Sequence, residues 1–157
     1  REDHAHAMEA APTGVTFVEK TSDESLDTST TVQDDDELTF TMVANKRYAV
    51  MACLLVDSGS TPDFKYALDL AGTSTWDGHH VSFNQALTST NFSFSENDVV
   101  VLGGRGAGTP SLSGTFSGIA KADGSGGAFT LQWAQNASDA GTTQLLTGSW
   151  LAYKLLN

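Results

Sequence analysis

The stretch that most constrains the fold is Ala128–Leu156, which reads AFTLQWAQ, then NASDAGTTQ, then LLTGSWLAYKLL. In its first part Phe129, Leu131 and Trp133 share one face of an extended chain, and Thr130 and Gln132 share the other. In its last part Trp150 alternates with Ala152, and Leu151 with Tyr153 and Leu155, so both faces are apolar. A half-buried strand, a polar turn and a strand covered on both sides is the pattern of a sandwich core. The final strand is expected to be pinned inside a sheet, and the residues before it must supply the strands that pack on it.

The rest of the composition agrees with this demand. A chain of 157 residues is long enough for one domain with a real core. Its 15 glycines and abundant Ser and Thr, with only 3 prolines and no long amphipathic helical period, favour an all-β domain with many turns. No apolar run approaches ~18 residues, so no membrane-spanning helix is expected. The chain begins at Arg1 and shows no signal peptide, which reads as a fragment or a processed form. The single cysteine, Cys53, lies inside YAVMACLLV and is expected to be a buried, inert thiol. With no disulfide available, stability must come from packing or from oligomerisation.

Charge is unevenly placed. Residues 1–40 hold eleven acids against Arg1 and Lys20, which is −9 of the net −11. The body is close to neutral, and this balance argues against nucleic acid as a partner, because phosphate contacts need Lys and Arg.

Taken in order, residues 1–14 (REDHAHAMEAAPTG) have no strand pattern and read as an arm or linker, with a helix over Asp3–Ala11 as one option. His4 and His6 are the only metal-like pair; one chain offers two ligands, and a site would form only where three chains meet. The bland reading is a solvated arm. Val15–Glu19 is a short strand, and Thr21–Gln33 a polar edge or crossing segment. Asp34–Glu37 (DDDE) is either a cation site or a solvated turn; its spacing is not that of a calcium-binding hand, and the turn is preferred. Leu38–Val43, Tyr48–Val56, Phe64–Leu70, Phe129–Trp133 and Ser149–Leu155 are the expected core strands of a two-sheet antiparallel sandwich, with residues 15–157 as one domain. Tyr48–Val56 is apolar throughout and should be covered on both faces. Ala71–His80 (AGTSTWDGHH) reads as a long exposed loop, with Trp76 either a contact residue or folded back over the end of the sandwich. Gly103–Gly108 (GGRGAG) lacks a phosphate-loop or dinucleotide pattern and leaves Arg105 as a loop-contact candidate. Ser111–Ala122 is a strand interrupted by glycine, which points to a bulge or a close backbone approach, and Asp123–Gly127 (DGSGG) reads as a hairpin turn.

No catalytic pattern emerges. There is no Gly-x-Ser-x-Gly, His-Glu-x-x-His or Cys-x-x-Cys, and nothing selects a working pair from Asp57, Asp63, Asp69, Asp77 and Asp98. A non-enzymatic protein without a cofactor is expected.

The succession KTSDESLDTSTTVQDDDELTFTM, YAVMACLLVDSG and LQWAQNASDAGTTQLLTGSWLAYKLL resembles a group of tailed-bacteriophage minor structural proteins of tail, fibre or head decoration. The resemblance spans roughly residues 15–156 and is distributed rather than confined to one motif. It implies a jelly-roll sandwich, often trimeric, on the virion exterior, and no catalytic residues. Other virion proteins and a host-surface glycan are the partners it would imply or allow. The N-terminal arm with His4 and His6 departs from the resemblance; its acidic charge and lack of a core pattern suit it to leave the sandwich and bind a neighbouring virion protein. The residue pattern leaves two alternatives open. One is a carbohydrate-binding module using Trp76; the other is a trimeric domain of the tumour-necrosis-factor or C1q type.

Overall fold

The computed structural model describes residues 14–59, 61–83, 89–95, 98–103 and 112–156. Among them there is no helix, and the strands run β1 Thr16–Glu19, β2 Glu24–Leu26, β3 Gln33–Met42, β4 Arg47–Ser58, β5 Phe64–Leu70, β6 Thr75–Phe83, β7 Ser89–Ser95, β8 Val100–Gly103, β9 Leu112–Lys121, β10 Gly127–Gln135, β11 Thr143–Leu145 and β12 Trp150–Leu156. All five expected core strands are present. They form two antiparallel sheets. One follows the order β1-β12-β4-β9-β6-β7, with β11 also paired to β4 and β2 paired to β11, and the other the order β3-β10-β5-β8. The organising stretch is divided between them, β10 central in the smaller sheet and β12 beside β4 in the larger.

Period-two alternation decides which side chains meet between the sheets. Tyr48, Val50, Ala52, Leu54 and Val56 of β4 are buried, as are Leu38, Phe40 and Met42 of β3, Phe64, Tyr66, Leu68 and Leu70 of β5, and Phe129, Leu131 and Trp133 of β10. Aromatic rings join the two layers. Phe40 stacks on Tyr153 at 3.9 Å, Tyr66 on Phe116 at 5.6 Å, and Trp76 meets Phe129 edge-on at 5.8 Å. Each large side chain enclosed here contributes roughly 1.5–3 kcal/mol by leaving water.

Four expectations need correction. The acidic run Asp34–Glu37 is not a turn but the start of β3. The strand continues through it because Asp34 and Asp36 point to solvent, while the inward carboxylate, Asp35, is paired with Lys20. The segment Ala71–His80 is not an exposed loop: only its first residues turn, and β6 starts at Thr75. Asp123–Gly127 is not a hairpin turn, because β9 and β10 lie in different sheets; it is a corner between them. Asp123 Oδ1 accepts the Ser125 and Gly126 N–H groups at 2.8 and 3.1 Å, and Gly126 sits at φ +69°, where an added Cβ would lie 2.6 Å from the Met42 carbonyl. Finally, β4 is covered on its inner face only.

Candidate interaction surface

The residues singled out from the sequence do not converge. Trp76 is 1 % exposed, so it is a core residue and not a surface contact. Its side chain points inward with Gly78 and His80, and its indole lies over Gly78 and Gly118, which face each other across β6 and β9. A Cβ on Gly118 would meet the Asp77 carbonyl, lie 2.6 Å from the Gly78 Cα and come within 2.7 Å of the ring, so this glycine marks both a close backbone approach and the space the indole occupies. Arg105, His4 and His6 lie outside the described residues, as does the arm over residues 1–13. Among the described residues no group of three or more His, Cys, Asp or Glu side chains is placed to hold a metal ion.

One buried polar pair has the chemistry of a site but not its access. Tyr66 Oη and His80 Nδ1 are 2.7 Å apart, and both residues are fully enclosed. Burial lowers the His80 pKa to about 4 and raises that of the Tyr66 hydroxyl. A neutral imidazole held on a core tyrosine satisfies two polar groups between the sheets and offers nothing to a substrate.

The surface that remains is the outer face of the larger sheet. Register fixes its membership. Phe17 of β1 is opposite Ala152 of β12, which is opposite Met51 of β4, which is opposite Ser117 of β9. The next row outward along the strands is Glu19, Trp150, Cys53 and Thr115, and the row on the other side is Lys154, Ala49 and Ile119. This is the second apolar face anticipated for the Tyr48–Val56 and Trp150–Leu155 runs, and no part of the described chain covers it. Phe17 is 66 % exposed, Val15 and Met51 are each 52 % exposed, and Cys53 and Trp150 are half-buried. The thiol expected to be buried therefore stands at the margin of this face, and partial burial pushes its pKa up. Val15, Ala49, Met51, Ala152 and Lys154 line a shallow groove of about 310 Å³ across the patch.

Charge is arranged around this apolar band rather than within it. At one end stand Arg47, Lys121 and Lys154, all exposed. At the other stand Glu19, on the same side as Trp150, and Asp57, one residue before the end of β4. An apolar centre with a charged rim is an arrangement shared with protein interfaces, and a contiguous exposed apolar patch is a candidate contact surface. Sequence reasoning found the surplus apolar face but not Phe17 as its most exposed member, since VTFVE is too short to show which side a strand will turn outward.

No protein-family model matches the chain, and no curated protein or solved structure is significantly similar to it.

Proposed function

We propose that the chain is a structural, self-associating β-sandwich of a tailed-phage particle, displayed on the virion exterior as a closed homotrimer. The observation that carries the self-association is the uncovered band of Phe17, Met51 and Trp150 on the larger sheet. A second copy is the occupant that the charge favours. The chain as a whole is strongly acidic at −11, yet this face carries three bases at one end, so another copy's acidic surface can approach it there without like-charge repulsion. A cyclic arrangement in which each copy offers this face to the next would close without leaving apolar surface in water.

The particle and its exterior are drawn from the resemblance of the quoted stretches. The strand order is in keeping with the jelly roll that the resemblance implies. Strands β3, β10, β5 and β8 lie side by side in one sheet and β4, β9, β6 and β7 in the other, so β3 to β6 alternate between the layers. A tumour-necrosis-factor or C1q type domain would share the threefold closure; association with a particle separates the two. The carbohydrate-binding reading loses its stacking residue with the burial of Trp76. The test is to band particles by density and probe them for the chain. Presence at fixed stoichiometry in multiples of three supports the reading, and a chain found only in the soluble fraction overturns it.

A further inference from the structure

Lys20 is among the most enclosed residues in the molecule, 2 % exposed, and it stands where the two sheets meet at their edges. It follows β1, the edge of the larger sheet, and its backbone is fixed to the loop before β12: its N–H donates to the Ser149 carbonyl at 2.7 Å, and its carbonyl accepts the Gly148 N–H at 2.9 Å. Its side chain crosses to β3, the edge of the smaller sheet, where Nζ lies 2.7 Å from Asp35 Oδ2, with the two side chains 1 % and 0 % exposed. Two further carboxylates surround the ammonium, Glu24 Oε2 at 3.0 Å and Glu37 Oε1 at 3.7 Å.

The other oxygen of Asp35 is held differently. Oδ1 accepts the backbone N–H of Leu38 at 2.6 Å and of Glu37 at 3.0 Å. One carboxyl group therefore has an amine against one oxygen, two converging N–H groups on the other, and a separate carboxyl group beside the amine. That is a nucleophile, an electrophile, an oxyanion pocket and a proton carrier in one enclosed place.

We propose that Lys20 and Asp35 condense to an intramolecular amide, a covalent staple between the edges of the two sheets, with Glu24 as the proton carrier. Nζ passes one proton to Oδ2, and the resulting amine adds to the Asp35 carboxyl carbon, forming the C–N bond. The negative charge that develops on Oδ1 is met by the Leu38 and Glu37 N–H groups. Glu24 takes a second proton from the nitrogen and delivers it to Oδ2, which leaves as water when the C–O bond breaks. The third proton stays on the amide nitrogen. One positive and one negative charge disappear together, so the net charge is unchanged and no oxidant or other reactant is needed.

Two physical terms drive the condensation. Holding an ion pair out of water is costly, and the neutral amide removes that cost. The fold also holds amine and carboxyl in contact, where well-oriented intramolecular groups reach effective molarities of roughly 10⁵ M and above. Protonation opposes it in part: burial alone lowers the Lys20 pKa, but the hydrogen bonds it donates to Asp35 and Glu24, with their charges, outweigh this and raise it. Glu24 is raised chiefly by burial, with the neighbouring Asp35 adding to the effect, which suits a group that must both take and give a proton. In a chain whose only cysteine is Cys53, such a bond would do for an exposed structural protein what a disulfide does elsewhere.

The test is the intact mass of the folded full-length chain, measured after denaturation, followed by peptide mapping. The expected result is a mass lower than that of the sequence by one water, with the Lys20 and Asp35 peptides recovered as a single branched species. Lys20→Arg keeps the charge but cannot form this bond, and should show the full sequence mass and a lower melting temperature. Glu24→Gln keeps both partners and should fold with most molecules at full mass. A wild-type chain that melts cooperatively yet has the full sequence mass overturns the proposal. So does the same water loss in Lys20→Arg, which would place the dehydration elsewhere, as at Asp123-Gly124.

Discussion

Phe17 packs against Trp150 on the outer face of the larger sheet, ring centroids 5.8 Å apart and planes tilted by 58°, and Phe17 remains 66 % exposed. Under the proposed self-association, these two rings belong to the surface that a second copy would cover. Trp150 should therefore matter more to the assembly than to the protomer. Trp150→Ala is expected to lower the stability of the isolated chain by about 1–2 kcal/mol, since the ring is half-buried there. Its effect on the oligomer should be larger. Urea unfolding at two protein concentrations a hundredfold apart checks this: the wild-type midpoint should rise with concentration, and that of the variant should not.

Trp76 and Gly118 form one packing unit, and changing either should be severe. Trp76→Ala removes a fully enclosed indole and is expected to cost about 3–5 kcal/mol. Gly118→Ala forces a methyl against the Asp77 carbonyl and to within 2.7 Å of the ring, and should cost about 1–3 kcal/mol. The two share a contact, so the double variant should be less destabilised than the sum of the two. Strict additivity in equilibrium unfolding would contradict the packing described.

Acid should weaken the fold through His80 before it weakens it through Glu37. The His80 pKa falls from 6.5 to about 4 in the fold, chiefly through burial, so between these values the unfolded chain binds a proton that the folded chain does not. Stability from this residue is complete above pH 6.5 and is lost as pH falls toward 4, by up to about 3 kcal/mol. Glu37 is held down to about 2 by the Thr21 hydroxyl and N–H, so its contribution is lost only between 4.5 and 2. Glu24 is raised by burial and acts in the opposite sense above 4.5, being most stabilising when protonated. Melting temperatures of wild type and His80→Phe across pH 4 to 7 separate these effects. The variant should lose most of the slope, and an unchanged slope would remove His80 from the account.

The N-terminal arm is expected to serve the particle and not the sandwich. Deleting residues 1–14 leaves β1 whole, since it begins at Thr16. The truncated chain should keep its folding transition and its oligomeric state but fail to enter particles. Because residues 1–40 carry most of the negative charge, docking of the intact chain onto a basic neighbour should weaken as salt rises and the screening length shrinks to about 10 Å near 0.1 M. A truncated chain that unfolds, or one that still assembles normally, would contradict this.

Much of the fold was legible in the sequence because alternation is a local property. Phe64–Leu70 was bounded to the residue, and the other four core strands differed only at their ends. Two failures have a common cause. Asp35 and His80 both point inward, so a hydrophobic period alone breaks at each and reads as turn or loop. Their partners, Lys20 and Tyr66, lie 15 and 14 positions away, and nothing local announces them. In Trp76-Asp-Gly-His-His80 the alternation was present, with Trp76, Gly78 and His80 on one side, but Gly and His carry no apolar signal. The outer apolar face of the larger sheet was half legible. The double-sided apolar runs showed that a second face existed, while which residues it exposes depends on the register of β1 against β12, a long-range pairing that periodicity does not report.

Sedimentation equilibrium of the wild-type chain beside Phe17→Asp tests the self-association most directly. Phe17 is exposed in the protomer, so the charge should leave the fold and its far-ultraviolet spectrum intact. The wild type should sediment at three times the 16.5 kDa chain mass at micromolar concentration, and the variant at the mass of one chain. A wild-type chain that stays monomeric at that concentration, or a Phe17→Asp chain that remains as large as wild type, would contradict the assignment of this face to contacts between copies.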